Sequence, residues 1–216
     1  MNLKRLPVYK NTQSLSYDDM LDNINKTAEK LGVQIKSVTR EAMPDSGWVV
    51  AEDSLYAVRA ETDIGLISAF ATGGVNISFS EPAAGNGTGR DAAEYFIKKY
   101  SSVIGFKNPV LCVTSDYDIN GAESAEYRVY DGSGGDLKRV KSYNFGSVYF
   151  DINENGGLES IRIGSVDGAK RLGDYPIISY KEAEKLLLDG EYISGSADGI
   201  ENGNITREKI KKVELV

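Results

Sequence analysis

Histidine is absent from this 216-residue chain. Its absence removes the commonest general base and the commonest metal ligand, and it excludes Ser-His-Asp and Cys-His catalysis within the chain. Cysteine occurs once, as Cys112 in the apolar run PVLCVT. No intrachain disulfide and no cysteine-type zinc site can form from it. Free cysteine is among the most buried residue types, so Cys112 is expected to be a buried strand residue and not a nucleophile. No stretch approaches the ~18 consecutive apolar residues of a membrane-spanning helix. Basic residues are the minority, 25 against 32 acidic, for a net charge of -7. An acidic surface repels phosphate backbones. The densest basic segment, DLKRVKS at 136–142, reads as the solvent face of a strand, and KIKK at 209–212 is too short to change the balance. No nucleic-acid partner is expected.

The composition that remains is that of a folded globule, with 41% hydrophobic and 26% charged residues, enough apolar surface for a core of ordinary size. Residues 1–16, MNLKRLPVYKNTQSLS, lack the apolar centre of a signal peptide and read like a start left after a leader has been removed. The abundance of Tyr, Gly, Ser and Asn, with one cysteine, fits a secreted protein.

Three helices carry start and stop signals. The first is expected from Tyr17 to Leu31: Ser16 is an N-cap with Asp19 as its capping-box partner, Tyr17, Leu21, Ile24, Ala28 and Leu31 make an apolar stripe, and Gly32 ends it. The second covers Gly89 to Ile104, capped by Thr88 and Asp91 and stopped by Gly105. The third covers Tyr180 to Asp189, with Ser179 and Glu182 as a second capping box and Gly190 at its end. Between them, period-two runs bounded by turn residues read as antiparallel strands: 33–39, 55–61, 64–71 and 75–79, then 109–115, 126–130, 138–143, 147–152 and 158–163. Further strands are expected near Tyr192 and over 205–216, and the loops near 81–89 and 194–204 are expected to be mobile. Helices followed by runs of strands specify an α+β protein, with repeated helix-plus-antiparallel-strand units and helices packed on one face of curved antiparallel sheets. The division expected is a unit over 1–87 and a second over 88–216, or one continuous domain. The apolar end KKVELV reads as a strand that continues past Val216 or pairs at a sheet edge.

Four segments invite a chemical reading. DINENGGLE at 151–159 places Asp151, Asn153 and Asn155 at the alternate positions of an EF-hand calcium loop, with Gly156 at its sixth position. The twelfth position, where a bidentate Glu belongs, is Arg162. Asn-Gly and Gly-Gly instead supply the positive φ angles of a hairpin. Glu41, Asp45, Glu52 and Asp53 surround Trp48 in REAMPDSGWVVAED; such acids beside an aromatic can cleave or bind sugars, and a solvated loop accounts for the same residues. AAGNGTGR at 83–90 precedes a helix start but lacks a Walker Lys-Ser/Thr pair and fits no dinucleotide fingerprint. Thirteen tyrosines against six phenylalanines and one tryptophan are a binding signal, since tyrosine is enriched at interfaces. Tyr127, Tyr130, Tyr143 and Tyr149 fall on strands and, with Trp48, form the candidate interaction surface. No catalytic residue, cofactor or metal is expected.

The stretch YPIISYKEAEKLLLDGEYIS with the later KKVELV resembles the C-terminal part of the YycH/YycI-type regulatory proteins of Gram-positive bacteria. The hairpin VYFDINENGGLESIRI is similar, more loosely, to the strand pair of PepSY-like domains. The resemblance covers about residues 145–216. It implies a non-catalytic, extracytoplasmic protein, held at the cell surface by a transmembrane segment or lipid anchor upstream of this chain. It would act by contacting an envelope partner such as a sensor kinase or protease. No residue role carries over. The alternative is a carbohydrate or cell-wall binding module using Trp48 and the tyrosines, and after it a carboxylate-dependent hydrolase.

Overall fold

The computed structural model describes residues 5–42, 56–117, 123–132, 146–164, 169–176 and 178–189. Trp48, Tyr143, most of the acidic cluster around Trp48 and the strands expected over 138–143, near Tyr192 and over 205–216 lie outside the described residues. Within them the fold is α+β, with four helices and a large antiparallel sheet of eight strands.

The chain forms two compact units, one of residues 11–170 and one of residues 1–10 with 171–216. In the larger unit, helix α1 (Tyr17–Leu31) leads into β2 (Ile35–Ala42), β3 (Tyr56–Thr62), β4 (Gly65–Phe70) and β5 (Val75–Ala83). Helices α2 (Gly89–Lys99) and α3 (Ser101–Ile104) lead into β6 (Pro109–Tyr117), β7 (Glu123–Asp131), β8 (Ser147–Ile152) and β9 (Leu158–Ile163). The sheet order is β2-β3-β4-β5-β9-β8-β7-β6. The two strand runs that the sequence separates are therefore one sheet, joined where β5 pairs antiparallel with β9. The smaller unit contains β1 (Arg5–Asn11), β10 (Ala169–Pro176) and α4 (Tyr180–Leu188). β1 pairs with β10, and the Arg5 guanidinium donates to the Asp174 carbonyl. Ser179 caps α4 by accepting the Glu182 N–H at 3.2 Å.

The start of α1 is a complete capping box. Ser16 Oγ accepts the Asp19 N–H, and Asp19 Oδ2 accepts the Ser16 N–H at 3.1 Å and its hydroxyl at 2.6 Å. Gly32 ends the helix in the left-handed region, φ 69°. The buried stripe is Met20, Ile24, Thr27 and Ala28; Met20, rather than Leu21, leads it, because steps of four, three and one from position 20 stay on the core face. The expected second helix breaks at Tyr100 into α2 and α3. Thr88 stands at the N-cap without a side-chain hydrogen bond. Helix α1 packs on β3, β4 and α3, while α2 packs on β6, β7 and β8.

Cross-strand register lines up the core. Val58 pairs with Ala69, Ala69 with Val75, Val75 with Ile163 and Ile163 with Val148. One residue pair along, Ala60, Ile67, Ile77, Ile161 and Phe150 make a second such row. Opposed residues of an antiparallel pair share a face, so both rows belong to one side of the sheet. Phe96 of α2 is fully buried there, with Tyr95, Tyr100 and Phe150 rings at centroid distances of 5.3, 6.1 and 6.4 Å.

Candidate functional site

The DINENGGLE stretch closes the β8–β9 hairpin. Asn153 Oδ1 accepts the N–H groups of Asn155 and Gly157 at 3.1 and 2.9 Å, and the Gly156 N–H reaches the Asn153 carbonyl at 2.9 Å. The oxygen that the calcium reading needs as a ligand is spent on holding the turn. Gly156 has φ 79°, and a Cβ there would meet the Gly87 carbonyl oxygen at 2.0 Å; a Cβ on Gly85 would meet the Gly156 carbonyl oxygen at 2.3 Å. The glycines of AAGNGTGR thus let the loop ahead of α2 lie backbone to backbone against the hairpin. Close approach is a need that their local composition does not distinguish from flexibility.

Tyrosines 127, 130 and 149 separate by parity. Tyr127 faces the core beside Val129 and is 8% exposed, and it pairs with Phe150. Tyr130 and Tyr149 lie on the opposite side of the sheet, where Glu126, Arg128 and Tyr130 alternate along β7 and Tyr149 pairs with Arg128. The Arg128 Nη2 donates to Glu126 Oε1 at 2.6 Å and its Nη1 to the Tyr130 hydroxyl at 3.3 Å. Its guanidinium carbon sits 4.2 Å from the centre of the Tyr149 ring, within cation–π range. Arg128 is the organising residue of the group, and nothing in a tyrosine count singles it out. The signal was available in the alternation Glu126-x-Arg128-x-Tyr130, which puts an acid, a base and a phenol on one strand face.

The electrostatics follow from this enclosure. Burial lowers the Arg128 guanidinium, but hydrogen bonds to Glu126 and Tyr130 outweigh that, and it ends above its ordinary value. Burial raises the Tyr149 phenol, and the Arg128 charge and the nearby Ser147 hydroxyl only partly oppose it. Ser147 and Tyr149 approach each other without the geometry of a hydrogen bond. Arg128 Nε, Ser147 Oγ, Tyr149 OH and, on β5, Asn76 Oδ1 are buried with no hydrogen-bond partner among the described residues. A buried polar atom left unpaired costs roughly 1–3 kcal/mol, so this side of the sheet holds its polar side chains at a cost in stability, with Ser147 fully buried and Tyr130 7% exposed.

Register extends the group into a band. Thr39, Arg59, Ser68, Asn76, Arg162, Tyr149, Arg128 and Cys112 are successive partners across all eight strands. Three arginines therefore share one row of a chain whose net charge is -7. Arg162 is exposed and Arg128 and Tyr149 are half-buried. Cys112 is in this row, half-exposed, on the last strand of the sheet. The expectation of a buried cysteine is thereby corrected: an apolar run at a sheet edge has no neighbouring strand, among the described residues, to cover its second side.

An open cleft of about 520 Å³ lies between α1, α3 and the β5–β9 seam. In its lining Lys26 pairs with Asp22 at 2.5 Å and Asp19 with Ser16. Among the described residues no three His, Cys, Asp or Glu side chains gather as a metal site, and no helix is long and apolar enough to cross a membrane.

No protein-family model matches the chain, and no curated protein does. Among solved structures it is similar to an uncharacterized protein from Eubacterium rectale ATCC 33656, at 10% identity and a TM-score of 0.38, over 85% of this chain and 66% of that one.

Proposed function

We propose that the protein is a non-catalytic binding module, acting outside the cytoplasm on an envelope partner through the polar side of its sheet. The observation that carries this reading is the Arg128 group: a half-buried arginine stacked on a half-buried Tyr149 and fixed by Glu126 and Tyr130. Arginine and tyrosine dominate binding energy at protein interfaces because each combines a flat apolar surface with fixed donors. The exposed Arg162 in the same row, on an acidic chain, favours a partner segment that brings carboxylates or carbonyls to it. The YycH/YycI-type resemblance supplies the class of partner, a sensor kinase or protease at the cell surface. In the finer architectural reading, α1 with β2–β5 and α2–α3 with β6–β9 are two copies of one helix-plus-four-strand unit. They meet at their last strands and carry their helices on the same side, which leaves the other side for binding.

The test is capture of partners from a Gram-positive membrane extract on immobilised wild type, Arg128→Ala and Tyr149→Ala. The expected outcome is a partner retained by wild type and lost from both variants while their circular dichroism is unchanged. Equal retention by all three would sink the reading. A glycan array with wild type and Trp48→Ala addresses the carbohydrate alternative, for which loss of a bound glycan on substitution would be the signature.

A further inference from the structure

Helix α2 begins where the glycine-rich loop meets the β8–β9 hairpin. An α-helix leaves its first N–H groups without partners inside the helix, and its dipole makes that end positive. Helices α1 and α4 answer this with the side chains of Ser16 and Ser179. Helix α2 has Thr88 and Asp91 at the equivalent positions, yet Thr88 makes no side-chain cap hydrogen bond. Among the described residues no other side chain accepts the N–H of Gly89, Arg90 or Asp91. Thr88, Arg90 and Asp91 are exposed, so solvent reaches this end of the helix.

A buried side chain points at the same place. Tyr127 of β7 is 8% exposed, on the helix-bearing side of the sheet. Its hydroxyl reaches the first residue of α2, since a Cβ on Gly89 would lie 3.5 Å from that oxygen. Among the described residues the hydroxyl has no hydrogen-bond partner, although a buried tyrosine usually finds one. Phenylalanine would fill the same core space beside Phe150; the phenol adds a donor at the helix end. The backbone matches it. Gly89 has φ 56° and Arg90 continues into the helix, a left-handed residue followed by a helical one, which turns successive N–H groups toward a single anion-binding concavity. The loop ahead is held, with Gly87 seated main chain to main chain against Gly156, so little ordering is left to be done on binding.

We infer that the N-terminus of α2 is a carboxylate-binding site, in which the first N–H groups of the helix and the Tyr127 hydroxyl donate to one carboxylate of a ligand. The neighbouring charges select the class of anion. Arg90 is a cation in the first turn, paired with Glu94 at 3.0 Å. Asp91 flanks the site, its Cβ 3.1 Å from the point where Gly87 would carry one. A fixed negative charge at the rim opposes a dianion twice as strongly as a monoanion, so a carboxylate is favoured over phosphate. That chemistry belongs to a small organic acid or to the C-terminal end of a peptide, which backbone concavities of this kind capture. The site lies on the opposite side of the sheet from Arg128 and stands independently of that group.

The test is amide NMR of the isotope-labelled full chain at neutral pH, titrated with sodium acetate, inorganic phosphate or N-acetyl-alanyl-alanine, with sodium chloride at matched ionic strength as the reference. Acetate should move the Gly89, Arg90 and Asp91 signals saturably, and phosphate should bind more weakly. Tyr127→Phe keeps the ring in the core and removes only the donor; it should weaken acetate about tenfold, the worth of one hydrogen bond to a charged group. Thr88→Asp supplies a capping carboxylate of its own and should abolish binding. Tighter binding of the dipeptide than of acetate identifies a chain end as the ligand, and equal binding identifies a small acid. The inference is overturned by the absence of saturable movement in the wild type, by phosphate binding as tightly as acetate, or by an acetate affinity unchanged in either folded variant.

Discussion

The contact between the β8–β9 hairpin and the loop before α2 can be measured with two glycines. Gly156 and Gly32 both have φ in the left-handed region, 79° and 69°. Alanine at either position bears the conformational cost of that region, roughly 1–2 kcal/mol. Their surroundings differ. A Cβ at Gly32 would meet nothing within 4 Å, whereas one at Gly156 would sit 2.0 Å from the Gly87 carbonyl oxygen and 3.1 Å from its carbon. The first distance must grow by more than an ångström, and both atoms belong to main chain that a rotamer change cannot move. Overpacking of this kind costs roughly 1–3 kcal/mol. Gly156→Ala should therefore lower stability by about 2–5 kcal/mol, against about 1–2 for Gly32→Ala, the difference being the steric cost of the hairpin contact. Urea unfolding followed by circular dichroism gives both values, with unchanged slope if the unfolded chain is unaffected. Gly85→Ala approaches the same contact from the other side without the left-handed cost, so it should lower stability by the steric part alone, about 1–3 kcal/mol, because its Cβ would meet the Gly156 carbonyl oxygen at 2.3 Å and Phe96 Cζ at 3.0 Å. Equal costs for Gly156→Ala and Gly32→Ala would refute the packed-glycine account and return the 84–88 segment to a free loop.

Two more outcomes follow from capping and charge. Ser16→Ala should weaken α1 by about 1 kcal/mol, the usual worth of an N-cap oxygen, measured as a loss of thermal stability. The Ser16 hydroxyl and N–H hold the Asp19 carboxyl below its ordinary range, so the same substitution should move that carboxyl back up in an NMR titration. The capped carboxylate contributes stability that is present above its unfolded pKa and is lost as pH falls through the folded one. At the alkaline end the sign reverses. Burial raises the phenols of Tyr100 and Tyr149, so the stability they contribute is complete below about pH 10, the ordinary tyrosine value, and is lost as pH rises through the folded values. Phenolate absorbance should show late-titrating tyrosines, one fewer in Tyr149→Phe, while Arg128→Ala should delay Tyr149 further by removing the charge that pulls it down.

Elements whose signals are local were legible in the sequence. Ser16, Asp19 and Gly32 fix both ends of α1, and the Asn-Gly-Gly turn fixes β8 and β9 to the residue, because caps and tight turns are decided within four or five positions. Strands β1 and β10 were not legible. RLPVYKN and AKRLGDYP carry internal proline or glycine and no clean alternation, and each exists by pairing with a segment far away in sequence. The break at Tyr100 was hidden for the opposite reason: Phe96, Tyr100 and Ile104 continue one apolar stripe through it, so periodicity reports a single helix over 89–104.

The candidate site shows the same division. Tyr130 and Tyr149 were visible as residue types, but side and neighbour are set by register, and register is a property of pairs of strands. A shift of β8 by one residue against β7 would bring Phe150 under Arg128 and send Tyr149 into the core beside Phe96. What prevents it is the opposite side of the sheet. Val148 and Phe150 fill the core against Val129, Ile161 and Phe96, and the hairpin turn, locked by Asn153 and seated on Gly87 through Gly156, fixes where β8 can end. The polar band is thus positioned by residues that never touch it. Its geometry should be lost with Gly156→Ala before its chemistry is altered, which separates damage to the platform from removal of Arg128 or Tyr149 themselves.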